Sequence, residues 1–105
     1  MIRHIVLLPF KPELKDAECL ALMGGLGELK TKIPQIQSFS CGKNNSPENL
    51  DRGYLHGFMM EFLNFEDREL YLNHPAHIEY ATQHILPNLI NGIDSPIVFD
   101  YELPL

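Results

Sequence analysis

Tyr71-Leu72-Asn73-His74-Pro75-Ala76-His77 orders the rest of this 105-residue chain. Pro75 has no backbone N–H and a fixed φ, so it suits the first position of a helix and not a helix interior. The residue before it is steered away from helical backbone. One helix therefore closes at Asn73-His74, and a second opens at Pro75 and runs toward Leu89, disturbed at Pro87. Upstream, Asn64 is placed to cap a short helix over Phe65 to Leu72.

The chain on either side reads as strands and one more helix. Tyr54 to Phe62 alternates, with His56, Phe58, Met60 and Phe62 on one face and Leu55, Gly57, Met59 and Glu61 on the other. A polar loop from Lys43 to Gly53 precedes it. Ile36 to Gly42 forms another strand, with Ile36, Ser38 and Ser40 facing away from Gln37, Phe39 and Cys41. Ile2 to Phe10 is apolar on both faces at its centre, and Pro9 marks an edge or bulge at its end. Between them, Leu22, Leu26, Leu29 and Ile33 recur at helical spacing, with Cys19 and Met23 beside them, predicting a helix from about Lys15 to Lys32. Gly24, Gly25 and Gly27 weaken it by about 1 kcal/mol each relative to Ala, which a closely packed neighbouring backbone explains. After a turn over Gly92 to Pro96, Ile97 to Leu103 is the last strand.

The order βαββαβ is the ferredoxin-like α+β pattern, a four-stranded antiparallel sheet with the helices on one face. Strands apolar on both faces leave the helix-free face in need of cover, and a second copy of the chain is the simplest cover. The expected assembly is a homodimer, a dimeric α/β barrel built from one domain over 1–105.

Composition narrows the function. Apolar residues make up 45% and charged residues 21%, which is globular rather than disordered. The net charge of −6, with no Lys/Arg cluster, argues against a nucleic-acid partner. No apolar run approaches the roughly eighteen residues of a membrane span. Cys19 and Cys41 fit no disulfide framework or C-x-x-C motif, and the N-terminus carries no leader pattern, so a cytoplasmic location is expected.

Five histidines, at 4, 56, 74, 77 and 84, carry what chemistry the chain offers. His77 falls in the first turn after Pro75, where the helix dipole disfavours imidazolium and leaves a neutral base. Tyr71 is its expected partner, able to offer a proton to His77 or to a developing enolate oxygen. Ala81 and His84 share the His77 face, with Tyr80 beside them. His4 faces the same way as Ile2, Val6 and Leu8, and central pairing of the first and third strands can place His4 and His56 near each other, with the register left open by the sequence. His74 reads as a capping residue. His74, His77, His84, Glu79 and Asp100 include metal-ligand types, but no H-E-x-x-H or cysteine pair is present and no metal is expected. No Gly-rich phosphate loop follows a strand.

Arg3-His4-Ile5-Val6-Leu7-Leu8-Pro9-Phe10-Lys11, Gly53-Tyr54-Leu55-His56-Gly57-Phe58, Tyr71-Leu72-Asn73-His74-Pro75-Ala76-His77 and Val98-Phe99-Asp100-Tyr101 together resemble the stress-responsive dimeric α/β-barrel (Dabb) family over essentially the whole chain. The resemblance implies the ferredoxin-like dimer and a pocket. One characterised branch is a plant polyketide cyclase that closes a ring by an intramolecular aldol step without a cofactor. By that likeness His77 is the catalytic base, Tyr71 its partner, and His4 and His56 line the pocket. Met23 and Leu26 replace bulky aromatics of the cyclase pocket, and Phe58 replaces a small residue, so a differently shaped site is implied. The expectations are a small organic ligand near Tyr71 and His77, with a cofactor-free cyclase or other proton-transfer enzyme, or a cofactor-free monooxygenase of a related dimeric barrel, as the enzymatic alternatives.

Overall fold

The computed structural model describes residues 1–104. Its sheet is built from β1 (Ile2–Leu8), β2 (Ser38–Lys43), β3 (His56–Phe62) and β4 (Ile97–Glu102), in the order β2-β3-β1-β4 with every neighbouring pair antiparallel. Helices α1 (Asp16–Gly27), α2 (Phe65–Asn73) and α3 (Pro75–Tyr80) complete the βαββαβ order.

Strand alternation decides what the sheet buries. Ile2, His4, Val6 and Leu8 of β1 and His56, Phe58, Met60 and Phe62 of β3 are all buried. They meet Cys19, Met23 and Leu26 of α1 and Tyr71 of α2, with Leu29, Ile33 and Ile36 from the connection into β2. The opposite face carries Ile5, Leu7, Met59, Ile97, Phe99 and Tyr101, and Phe99 is 62% exposed.

The elements depart from the sequence reading mainly at their ends. β1 stops at Leu8, because Pro9 cannot donate to a ladder; Phe10 makes only an isolated bridge to Leu89. β2 and β3 begin two residues late, at Ser38 and His56. Tyr54 instead donates its hydroxyl to the Ser95 carbonyl at 2.8 Å. β4 ends at Glu102. The first helix is α-helical only to Gly27, then tightens into a 3₁₀ turn over Glu28–Thr31. Two of its three glycines, Gly25 and Gly27, accommodate aromatic side chains rather than backbone. A Cβ on Gly25 would strike the Tyr80 ring, whose hydroxyl donates to the Leu22 carbonyl at 2.6 Å, and one on Gly27 would strike Phe39. The helix after Pro75 is likewise shorter than expected. It widens into a π-type turn over Ala81–Ile85 and closes as a 3₁₀ turn over Leu86–Asn88, where Pro87 has no N–H to continue the ladder.

Candidate functional site

The site grows from the junction of α2 and α3. Asn64 starts α2 by accepting from the Asp67 N–H at 2.9 Å, and α2 carries Arg68, Tyr71 and Leu72. His74 leaves helical backbone, and its Nδ1 accepts from the Ala76 N–H at 3.0 Å, which makes it the cap of α3. Pro75 then sets the direction of α3 and returns His77 against the end of α2. There the His77 Nδ1 donates to the Leu72 carbonyl at 3.2 Å, satisfying one of the orphan acceptors of a helix C-terminus. That donation fixes the neutral tautomer and leaves the lone pair on Nε2.

Tyr71 and His77 meet face to face rather than through a hydrogen bond. Their ring centroids are 4.2 Å apart with planes tilted by 35°. Tyr71 is fully buried, and its hydroxyl has no hydrogen-bond partner among the described residues. Burial pushes the Tyr71 phenol far above its ordinary value of 10.0, so it stays protonated. His77 titrates below its ordinary 6.5, chiefly because burial penalises imidazolium; the Leu72 bond opposes this, and His4 and His74 add to it. The direction favours a neutral ring, with burial rather than the helix dipole as its main cause.

A second chain of polar contacts backs the first. His4 Nδ1 lies 2.8 Å from Asp100 Oδ1, and Arg68 donates to Asp100 Oδ2 at 3.1 Å and to Glu69 at 3.2 Å. The Arg68 guanidinium also covers the Phe65 ring at 4.8 Å. A carboxylate only accepts, so His4 donates from Nδ1 and keeps Nε2 free. Among the described residues the Nε2 atoms of His4 and His77 make no hydrogen bond, and neither is among the buried unpartnered atoms. Sequence reasoning did not assign Arg68 to the site and took Asp100 only as a possible metal carboxylate. The signal was parity: His4 and Asp100 are direct cross-strand partners on the helix side of the sheet.

His4, Asp100, Tyr71 and His77 line a cavity of ≈ 260 Å³ between the sheet and the α2–α3 layer, whereas Arg68 and Glu69 lie outside its lining. His4, Val6, Leu8, Phe58, Val98 and Asp100 form its floor, and Tyr71, Leu72, His77, Ala81 and Ile85 its roof, with Leu26 of α1 also in its wall. Of the residues expected at a pocket, Tyr71, His77, His4, Phe58, Leu26 and Ala81 are thus brought together. Met23 is not: it is fully buried in the α1–sheet core. His56 is not either. Its partner on β1 is Leu8 while that of His4 is Met60, which separates the two histidines by four strand positions, about 13 Å. His56 Nε2 instead lies 3.2 Å from Asp16 at the start of α1, and its ring edge meets Phe10. His84 also leaves the His77 face, since the π-type turn shifts the helical register; it is exposed beside Tyr80, at 4.8 Å between centroids. Among the described residues no group of three or more His, Cys, Asp and Glu is placed to hold a metal ion, and no helix is long and apolar enough to cross a membrane.

Comparison with known proteins bears on this arrangement. Residues 2–103 match the family model described as the stress responsive A/B barrel domain, Dabb. The chain belongs to that family. Among its relatives, the stress-response A/B barrel domain-containing protein HS1 of Arabidopsis thaliana is 33% identical over 101 residues, covering 96% of this chain and 88% of HS1. Olivetolic acid cyclase of Cannabis sativa is 28% identical over 80 residues, covering 76% of this A/B barrel chain and 79% of the cyclase. A dimeric ferredoxin-like protein from Jannaschia superimposes with a TM-score of 0.83 at 25% identity, covering 97% of this chain and 98% of that one.

Proposed function

We propose that this A/B barrel binds a small carbonyl-bearing organic molecule in the cavity between sheet and helices, and that His77 acts there as a general base. The observation that carries the reading is the pairing of two unlike groups. An imidazole whose Nδ1 is committed to the Leu72 carbonyl stacks on a phenol that is buried, protonated and without a partner. A free Nε2 accepts a proton from carbon next to a carbonyl, and the Tyr71 hydroxyl donates to the enolate oxygen that develops. An apolar surround strengthens both interactions, because little water competes for either group. The likeness to olivetolic acid cyclase supports a further step, attack of that enolate on a second carbonyl of the same molecule.

The test is proton exchange. Acetophenone in deuterated buffer loses its methyl proton signals as deuterium enters. The protein is expected to accelerate this beyond free imidazole at equal concentration, and His77→Gln is expected to lower the rate by roughly 10²–10⁴-fold. A rate unchanged in His77→Gln, with the fold intact by circular dichroism, refutes the assignment.

The same reading includes a second copy of the chain over the open sheet face. Support comes from the exposed Leu7, Ile97 and Phe99 on one surface, and from the dimeric relative of the same fold. The cavity opens on the helix side of the sheet, so a partner on the other face leaves it accessible. Light scattering is expected to give twice the mass of 12.0 kDa, and a monomer at micromolar concentration contradicts the proposal.

A further inference from the structure

Charge is distributed unevenly around the cavity. Its described lining includes one carboxylate, Asp100, and neither a lysine nor an arginine. The guanidinium next to Asp100 is that of Arg68, already shared between Asp100 and Glu69. Both Asp100 oxygens are thereby engaged, Oδ1 by His4 and Oδ2 by Arg68, and no lysine or arginine in the described lining is left over for a ligand. Apart from His4, Tyr71 and His77, the rest of the wall is hydrocarbon, and so is Ile93 at the rim, 72% exposed. A carboxylate or phosphate entering here sheds its hydration beside Asp100, with no lysine or arginine in the described lining to replace the lost water. The chain's net charge of −6 opposes the same ligand at longer range.

The geometry points to an uncharged ligand for this cavity: a ketone, aldehyde or similarly neutral carbonyl compound of about one ring in size, with carboxylates selected against by Asp100. The inference rests on the reading of the cavity as a ligand site and adds the chemical class. Size follows from the ≈ 260 Å³ volume, which lies below the roughly 300–1,000 Å³ of pockets that hold drug-sized ligands. Orientation follows from the lining. The carbonyl end goes toward Tyr71 and His77, and the hydrocarbon lies against Phe58 and Ile85.

Three probes of nearly the same shape separate the possibilities: acetophenone, benzamide and benzoate, titrated at pH 7.5 into uniformly ¹⁵N-labelled protein. The backbone amides of Leu72 and Ala81 report occupancy. Acetophenone and benzamide are expected to shift both signals, with benzoate weaker by roughly tenfold or more, the scale for a charge desolvated beside a like charge. In Asp100→Asn the gap between benzamide and benzoate is expected to narrow. Benzoate binding as tightly as benzamide to the unmodified protein overturns the inference and leaves the site reading standing. A gap that persists undiminished in Asp100→Asn overturns Asp100 as its source. No shift with any probe, up to their solubility, overturns the site reading itself.

Discussion

Replacing Tyr71 with phenylalanine is expected to stabilise this protein while impairing its site. The Tyr71 hydroxyl is buried and unpartnered, whereas its ring packs on Phe62 at 5.2 Å and on His77 at 4.2 Å. Tyr71→Phe keeps both ring contacts and removes only the oxygen. A buried hydroxyl without a partner costs about 1–3 kcal/mol, so the substitution is expected to raise the unfolding free energy by about 1 kcal/mol or more. For a domain of this size that corresponds to about 4–8 °C in Tm per kcal/mol. Urea unfolding followed by circular dichroism measures it, at one fixed protein concentration because association would shift the midpoint. The pH dependence adds a second check with a definite sign. The unfolded phenol ionises near 10.0 while the buried one stays protonated well above that, so above pH 10 the unfolded state holds fewer protons. The Tyr71 contribution is therefore fully present below pH 10 and lost as pH rises, and Tyr71→Phe is expected to soften that alkaline loss. The same variant is expected to bind acetophenone more weakly. A loss of about 1 kcal/mol or more in Tyr71→Phe refutes the reasoning, because it would mean that the hydroxyl is hydrogen-bonded in the native protein in solution.

Three further outcomes follow from other parts of the molecule. His77 titrates below 6.5 when folded, so its contribution to stability is complete above pH 6.5 and falls as pH drops toward the folded value; His77→Gln is expected to flatten that acid limb, read as urea midpoints from pH 5 to 7.5. Phe99→Asp places a charge on the exposed apolar sheet face, and is expected to give a monomer by light scattering with far-UV circular dichroism retained. Gly24 and Gly25 are adjacent but oppositely constrained: Gly24→Ala meets nothing within 4 Å and is expected to gain up to about 1 kcal/mol in helix propensity, whereas Gly25→Ala drives a Cβ into the pinned Tyr80 ring and is expected to lose about 1–3 kcal/mol, both by urea unfolding.

Strand alternation made much of the fold legible. The period of two in Tyr54 to Phe62 assigned His56, Phe58, Met60 and Phe62 to one face, and all four are buried. Proline and asparagine chemistry did the same for the helix junction, because Asn64, His74 and Pro75 act within a few residues of themselves. Helix ends were less legible. Whether the turn after Tyr80 widens, or α1 tightens at Glu28, depends on neighbours far along the chain, and the widening moved His84 off the His77 face.

The sequence by itself determined the order of elements, the faces of the strands, the capping of α3 and the place of His77 in its first turn. Those follow from local backbone preference and side-chain periodicity. Tertiary structure alone decided the register, and the register decided the site. It set His4 opposite Asp100, carried His56 four positions away to Asp16, and left the Tyr71 hydroxyl without a partner beside His77. Periodicity names a face but not a partner, since sliding a strand by two residues keeps every side chain on its face while exchanging every neighbour across the ladder.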